Sequence, residues 1–425
     1  MPTNTSAVTF RRTRSKASCK AWLLATALAA VCAAPALAQQ APIKVGFMTV
    51  RSGALAAGGK QMEQGLEYCL AERGGKMGGR PVELITVDTA GQPATTKTRA
   101  QELVERVRVD AIIGPLAAFE ALAIDDYIRQ VGVPVISPSA AAEDLTQRKQ
   151  NPWFVRAVGT SAQANHALGE YAAKDLKLKR VVTIGDDFAF GHEATAGFQR
   201  AFEDNGGKVV KKLWPPLNVA DYGSYISQIP SDVDAVYAAF AGGNGLRFLQ
   251  QYAEYGAPAK VIAQMTTVDE GILKSMGKEA VGVISSGWYT ATQDVPGNKE
   301  FAAGIRAKYG ADPGYYTAGA YEACAFLDAA VKAVDGKVED KQALMKALRE
   351  VKLDKGPFGE VALDPYGNPI MTVTIRRTEE KDGRLQNVVL KTYPKVSQFW
   401  TYDPKAFLAD PVYSRDYPPA RHLGN

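Results

Sequence analysis

The chain has 425 residues, 46% of them hydrophobic, with 50 Lys and Arg against 45 Asp and Glu. That length is too great for one small core and makes two lobes the natural expectation. The whole excess of +5 sits in residues 1–38, where Arg11, Arg12, Arg14, Lys16 and Lys20 meet no acid, and the remainder balances 45 basic against 45 acidic residues (50 − 5 = 45). A balanced chain gives no electrostatic case for nucleic acid or an anionic membrane surface as partner.

In chain order, a basic region is followed by the apolar run 21–31 and by Ala36-Leu37-Ala38, an Ala-x-Ala cleavage site. This predicts a signal peptide over 1–38, a mature chain starting at Gln39, and a periplasmic location. The apolar run is too short for a membrane span. Arg11-Arg12 leaves twin-arginine export open beside the general route. Val31 before Cys32 does not suit a lipid anchor. Cys69 and Cys324 remain in the mature chain, each inside a helical pattern. A disulfide fits an oxidising compartment, while two buried thiols are the commoner reading, since spacing alone fixes no geometry.

The mature chain opens with a strand over 43–48. A Gly- and Ala-rich loop, 51–59, leads to a helix over 60–73, where Met62, Leu66 and Leu70 form the buried face. A strand over 82–87 and a helix over 95–106 follow. Then comes a strand over 109–113, broken by Gly114-Pro115, a helix from Leu116 and a second strand over 133–137, closed by Pro138. Strand, helix and strand over some thirty residues make a βαβ unit, whose strands are parallel neighbours with both carboxyl ends on one edge. Ligands in open α/β sheets bind at that edge. The turns 114–119 and 137–141 are therefore the first candidates for a site.

A second set of such units runs from about 154 to 289, with strands over 180–184, 233–238, 260–263 and 281–285. A long Ala-rich helix over 315–334 and an antiparallel hairpin over 371–391, turning at Asp382-Gly383, close the pattern. The last twenty-five residues, rich in Pro, Tyr and Asp, are expected on the surface. Alternation throughout predicts α/β architecture with parallel sheets.

Catalytic motifs are missing. His166, His192 and His422 have no metal-ligand spacing and suit surface or cap roles. No Gly-x-Ser-x-Gly elbow is present. Gly53 to Gly58 has the spacing of a phosphate loop, but Lys60 falls one place late and Gln61 replaces the required Ser or Thr. Asp186-Asp187 reads first as a helix-entry loop and second as an acid pair or metal ligand. No enzyme, cofactor or metal site is expected. What recurs is an aromatic residue after a strand: Phe119, Phe188, Phe190, Phe240, Trp288 and Tyr289. That pattern suits a pocket between lobes.

Ile43-Lys44-Val45-Gly46 with Ser52-Gly53, Ile112-Ile113-Gly114-Pro115, Val135-Ile136-Ser137-Pro138-Ser139-Ala140, Phe154-Val155-Arg156, Phe190-Gly191, Gly356-Pro357-Phe358-Gly359 and Asp364-Pro365-Tyr366-Gly367-Asn368 occur in this order. Together they resemble the leucine/isoleucine/valine-binding family of type I periplasmic binding proteins, the solute receptors of ABC importers. The resemblance implies two Rossmann-like lobes joined by three hinge crossings, near Gly159, Gly287 and Lys352. Lobe 1 would hold 39–158 and 288–352, lobe 2 159–287 and 353–399, with 400–425 as a tail. It also implies a monomer that closes on a small molecule and delivers it to an ABC permease in the inner membrane.

The same resemblance places Ala118, Phe119, Ser139, Ala140, Ala141, Phe190, Phe240 and Thr266 around the ligand. Amino-acid binders of the family carry serines where this chain has Ala117, Ala118 and Phe119, and a threonine where it has Ala141. Their tyrosine before Gly191 is Phe190, and their acid for the ligand's ammonium falls near Met265 or Thr266. A buried ammonium without its acid is strongly disfavoured. An aromatic or apolar carboxylic acid is therefore expected. Arg51 is the one cation placed to meet its carboxylate, a solvent-facing arginine being the alternative. A branched-chain amino-acid receptor and a periplasmic sensor of the same fold are the competing functions.

Overall fold

A computed structural model describes residues 6–9 and 41–424. The expected signal peptide, its cleavage site and Cys32 fall on 1–38, whose residues from 10 onward lie outside the described residues. From Pro42 onward the chain forms one compact unit holding two sheets.

The first sheet contains β1 (Ile43–Thr49), β2 (Lys76–Met77), β3 (Arg80–Asp88), β4 (Ala111–Ile113), β5 (Val135–Ser137) and β6 (Phe154–Arg156), in the order β2-β3-β1-β4-β5-β6. Its pairs are parallel except β2 with β3. Parallel strands are covered on both faces, so they read as continuous apolar runs. Accordingly every residue of β4 and β5 is buried.

The second sheet holds β7 (Arg180–Gly185), β8 (Lys208–Leu213), β9 (Ala235–Ala239), β10 (Lys260–Gln264), β11 (Ile284–Gly287), β12 (Lys352–Leu353), β13 (Val361–Leu363), β14 (Pro369–Lys381) and β15 (Arg384–Val396). The order is β12-β13-β14-β11-β10-β9-β7-β8, with β15 paired to β14 as the expected antiparallel hairpin. The helices are α1 (Ala56–Glu72), α2 (Pro93–Gln101), α3 (Ala118–Val131), α4 (Gln163–Lys174), α5 (Ala189–Asp204), α6 (Gly223–Ile226), α7 (Asn244–Glu254), α8 (Glu270–Leu273), α9 (Asn298–Tyr309), α10 (Tyr315–Ala333), α11 (Lys341–Arg349) and α12 (Pro404–Ala409). Among the described residues no helix is long and apolar enough to cross a membrane.

Small residues set the closest approaches. A Cβ on Gly65 of α1 would lie 2.0 Å from the carbonyl oxygen of Thr317 on α10, and one on Gly319 of α10 would lie 2.1 Å from that of Pro138. The α1–α10 pair is locked by a disulfide between Cys69 and Cys324, with Cα atoms 6.4 Å apart. The free-thiol reading is therefore corrected: two buried helices, 255 residues apart in sequence, bring the cysteines face to face.

Segments far apart in sequence pack together where the chain leaves the first sheet after β6. Gln163 Nε2 donates to the carbonyls of Pro369 at 3.0 Å and Val396 at 2.8 Å, and its Oε1 accepts from Asn368 at 3.0 Å. Gly159 lies against Trp288, since an added Cβ would sit 2.9 Å from the indole.

The tail departs from expectation. Phe407 is 0% exposed and Tyr413 3%, and both pack around His166, which is itself buried rather than at the surface. Burial, with the charge of Arg200, pulls that imidazole down to about 3, so it stays neutral and serves as core.

Candidate functional site

The carboxyl ends of the two sheets face each other across a narrow cavity. From the first sheet come Leu55, Leu116, Ala117, Ala118, Ser139 and Ala141; from the second, Phe188, Phe190, Ala241 and Thr266; and Tyr315 and Tyr316 enter from the start of α10. The cavity holds about 20 Å³, close to the room one water needs. None of its lining residues is charged. A wider groove of about 500 Å³ beside Lys274, Arg306, Asp312, Glu380 and Arg384 lies at the surface, away from these turns.

The β4–α3 turn is built by Glu120, whose Oε2 accepts from the Ala117 N–H at 2.8 Å. With Ala117 so capped, the first-turn N–H groups of α3 at Ala118 and Phe119 have no partner within the helix. The turn after β5 is shaped by its carbonyls. Arg156, fully buried on β6, donates to Ala140 at 2.7 Å and also to Ala142. Tyr315 donates its hydroxyl to Ser139 at 2.8 Å, and Ser139 Oγ donates to Leu116 at 2.6 Å.

Aromatic rings close the gap between lobes. Phe119 from α3 meets Phe188 edge-on with centroids 5.3 Å apart, and Phe188 stacks on Phe190 at 5.8 Å. Tyr315 and Tyr316 lie 4.8 Å apart, and the Tyr316 ring rests on Gly58, where a Cβ would come within 3.0 Å. The Gly242 N–H is directed at the Tyr316 hydroxyl. Asp269, beside α8, accepts from Gln61 of α1 at 2.8 Å, from the Tyr315 N–H at 2.6 Å and from the Gly271 N–H at 3.1 Å. Its oxygens are thus occupied by protein donors.

Of the expected site residues, Ala118, Ser139, Ala141, Phe190 and Thr266 line the cavity. Thr266 keeps its Oγ1 2.5 Å from the Phe240 carbonyl and 2.6 Å from Gln264 Oε1, so its hydroxyl proton is committed to the protein. Ala140 is buried behind the turn, with its carbonyl on Arg156. Phe119 is half-buried and reaches the cavity's edge through Phe188. Phe240 does not reach it: the ring packs on Tyr222 and Phe248 at 5.3 and 4.8 Å, inside the second lobe. The backbone turns after β9, placing Ala241 rather than Phe240 on the wall. Arg51 is also outside. Its side chain is 53% exposed and paired with Glu63 at 2.6 Å, because the loop turns it toward α1.

Sequence reasoning missed Leu55, Ala241, Tyr315 and Tyr316. The two tyrosines stand at the start of the long helix, directly after Gly314, where a Cβ would meet Asp269 at 2.3 Å. Asp186 accepts from the Ala241 N–H and from Asn244, each at 2.8 Å, and so ties the β7 and β9 turns together. Burial pushes it up to about 7. No cluster of three metal-ligating side chains exists among the described residues.

Comparison with known proteins agrees with this architecture. The family model described as periplasmic binding protein matches residues 42–384. The Leu/Ile/Val-binding protein homolog 6 of Brucella melitensis biotype 1 is 29% identical over 87% of this chain and 96% of its own length. An ABC transporter substrate-binding protein from Sphaerobacter thermophilus is 33% identical, with TM-score 0.78 over 84% of this chain and 99% of that one. A solute binding protein of an ABC transporter from Rhodopseudomonas palustris BisB5, solved in complex with 3,4-dihydroxy benzoic acid, is 31% identical with TM-score 0.80, covering 84% and 98%.

Proposed function

The chain belongs to the periplasmic binding protein family, as a substrate-binding component of an ABC transporter, and on that premise we propose that its ligand is a small aromatic or apolar carboxylic acid lacking an α-amino group. The observation that carries this is the uncharged, ring-lined cavity. An α-amino acid brings an ammonium that must find a carboxylate once buried. Asp269 is the acid beside Tyr315, and its oxygens already serve Gln61, Gly271 and Tyr315.

A carboxylate finds better terms. The free N–H groups at Ala118 and Phe119, at the positive end of the α3 dipole, accept an anion without any basic side chain. The ring of the acid then lies among Phe188, Phe190, Tyr315 and Tyr316, where offset and edge contacts add to apolar burial. The Rhodopseudomonas relative solved with 3,4-dihydroxy benzoic acid supports the same class. The Brucella relative's name favours branched-chain amino acids as the second reading.

The cavity of about 20 Å³ is far below the ~300 Å³ at which ligand pockets begin. An aromatic acid therefore enters with the lobes apart, and the rings of Phe188, Phe190, Tyr315 and Tyr316 turn aside to admit it as the lobes close. The crossings near Gly159, Gly287 and Lys352 are the hinges in this reading, and a permease receives the closed complex. A thermal-shift screen tests it, with benzoate, 4-hydroxybenzoate, 3,4-dihydroxybenzoate and phenylacetate in one arm and branched-chain amino acids in the other. A ligand at a hundred times its dissociation constant adds about 2.7 kcal/mol. Stabilisation confined to the amino-acid arm would overturn the proposal.

A further inference from the structure

The family match ends at residue 384, yet the chain continues through β15 into a segment that touches both lobes. From the first lobe, Arg148 donates to the carbonyls of Asp410 and Phe407, each at 2.7 Å, with its guanidinium 5.4 Å above the Phe407 ring. Gln398 donates to the Thr146 carbonyl at 3.0 Å. From the second lobe, Arg200 of α5 pairs with the Asp410 carboxylate at 3.1 Å and stacks on Tyr402 and Phe407, 4.1 and 5.1 Å from their centroids. His166 of α4 meets the Tyr413 hydroxyl at 3.1 Å, and Tyr402 donates to Asp204 at 2.9 Å. Phe407 is thus held between one arginine from each lobe. Farther on, Arg415 pairs with Asp187 at 3.2 Å, in the loop that carries Phe188 and Phe190 to the cavity.

We propose that residues 397–417 form a strap across the hinge, clamped to both lobes through Phe407, that limits how far the lobes open and so sets the rate of ligand exchange. A hinge rotation that separates the cavity walls must move Arg148 relative to Arg200. Phe407 and Asp410 engage both cations, so wide opening breaks the two carbonyl contacts of Arg148 or strips Arg200 from its rings. Contacts of this kind, charge-assisted and against aromatic faces, are worth more than exposed ion pairs. The strap's second-lobe side is the broader one, with Tyr402, Tyr413 and the Gln199 contact to the Pro418 carbonyl at 3.1 Å. On opening, the strap therefore stays with the second lobe and releases Arg148.

The test uses the full mature chain without ligand, so it stands apart from the ligand reading above. Spin labels are placed at Leu122→Cys on α3 and Tyr255→Cys after α7, positions 41% and 55% exposed, and their separation is measured by pulsed electron resonance. Arg148→Ala cuts the first-lobe clamp and leaves the tail docked on the second lobe. The expected result is a shift of the distribution to longer separations, with the open population raised at least about twofold, while thermal unfolding stays cooperative. Arg148→Lys, which keeps a donor but not the planar stack, falls between. Truncation after Val396 uncovers apolar surface and tests folding more than opening, so Arg148→Ala decides. An unchanged distribution in folded Arg148→Ala protein overturns the strap.

Discussion

The backbone N–H of Gly243, after β9 of the second lobe, donates to the carbonyl of Ala54, in the β1–α1 loop of the first, at 3.2 Å. Gly242 beside it has φ +57°, and a Cβ there would lie 2.2 Å from the same Ala54 oxygen. The two lobes touch here backbone to backbone, at the rim of the cavity that Leu55 and Ala241 line. A left-handed residue is needed to make that approach.

Gly242→Ala should therefore hinder closure. The new methyl meets Ala54 only when the lobes are shut, and the backbone conformation becomes strained. Affinity for the bound acid is expected to fall about tenfold or more, a loss of about 1.4 kcal/mol, measured by calorimetry. Scattering should show less compaction at saturating ligand than in the parent.

Arg51→Ala should leave the affinity for aromatic acids within about twofold, since exposed pairs such as Arg51–Glu63 contribute little and the guanidinium is turned from the cavity. Thr266→Asp, by contrast, puts a carboxylate into the wall. Affinity for an anionic ligand is expected to drop at least about tenfold, by like-charge repulsion in a poorly solvated site. Titration of the two variants side by side checks both.

Cys69–Cys324 closes a loop with sequence separation 255 between two helices of one lobe. Disulfides over long loops typically add about 2–4 kcal/mol. The double variant Cys69→Ala/Cys324→Ala should unfold several degrees lower in a thermal scan. Ligand affinity should be little changed, because both sulfurs sit away from the cavity lining.

Glu322, on the cavity-distant part of α10, is fully buried, and neither carboxylate oxygen has a hydrogen-bond partner. Burial pushes it up to about 8 from 4.5. The folded chain then holds a proton that the unfolded chain releases, so stability is fully present below about 4.5 and is lost as pH rises through about 8. Glu322→Gln removes this dependence. At pH 9 its melting temperature should exceed the parent's by roughly 2–4 °C or more, with the gap closing near pH 4. A constant gap across that range would rule out Glu322 as the titrating group.

Much of the fold was readable because parallel strands covered on both faces announce themselves. The runs Ala111-Ile112-Ile113 and Val135-Ile136-Ser137 bury every residue, and short β-branched apolar runs closed by Gly-Pro or Ser-Pro read as buried strands. The hairpin at Asp382-Gly383 was equally plain, since its turn chemistry is local. The site was read in part. Ala118, Ser139, Ala141, Phe190 and Thr266 lie on turns at strand ends, where topology puts ligands. Phe240 and Arg51 stand off the cavity wall, because a strand-end position does not say which way a side chain points. Phe240 turned into the core on Tyr222 and Phe248, and Arg51 turned outward to Glu63. Tyr315 and Tyr316 were invisible for the opposite reason: Tyr315 meets Ser139 of the β5 turn across a sequence separation of 176, and no local pattern marks such a contact. The tail's Pro and Asp content points to the surface, but Phe407 and Tyr413 have partners in His166, Arg148 and Arg200 that only the folded chain assembles.

The most direct test of the ligand assignment compares acids that differ only in the α-amino group. Calorimetric titration of purified protein spanning residues 39–425 with 3-phenylpropanoate against phenylalanine, and with 4-methylpentanoate against leucine, holds shape and carboxylate constant. The uncharged cavity predicts that each amine-free acid binds at least about a hundredfold tighter than its partner, a difference of about 2.7 kcal/mol. Tighter binding of leucine or phenylalanine than of its amine-free counterpart would contradict the account and give the ammonium a partner that the walls at Thr266 and Tyr315 do not supply.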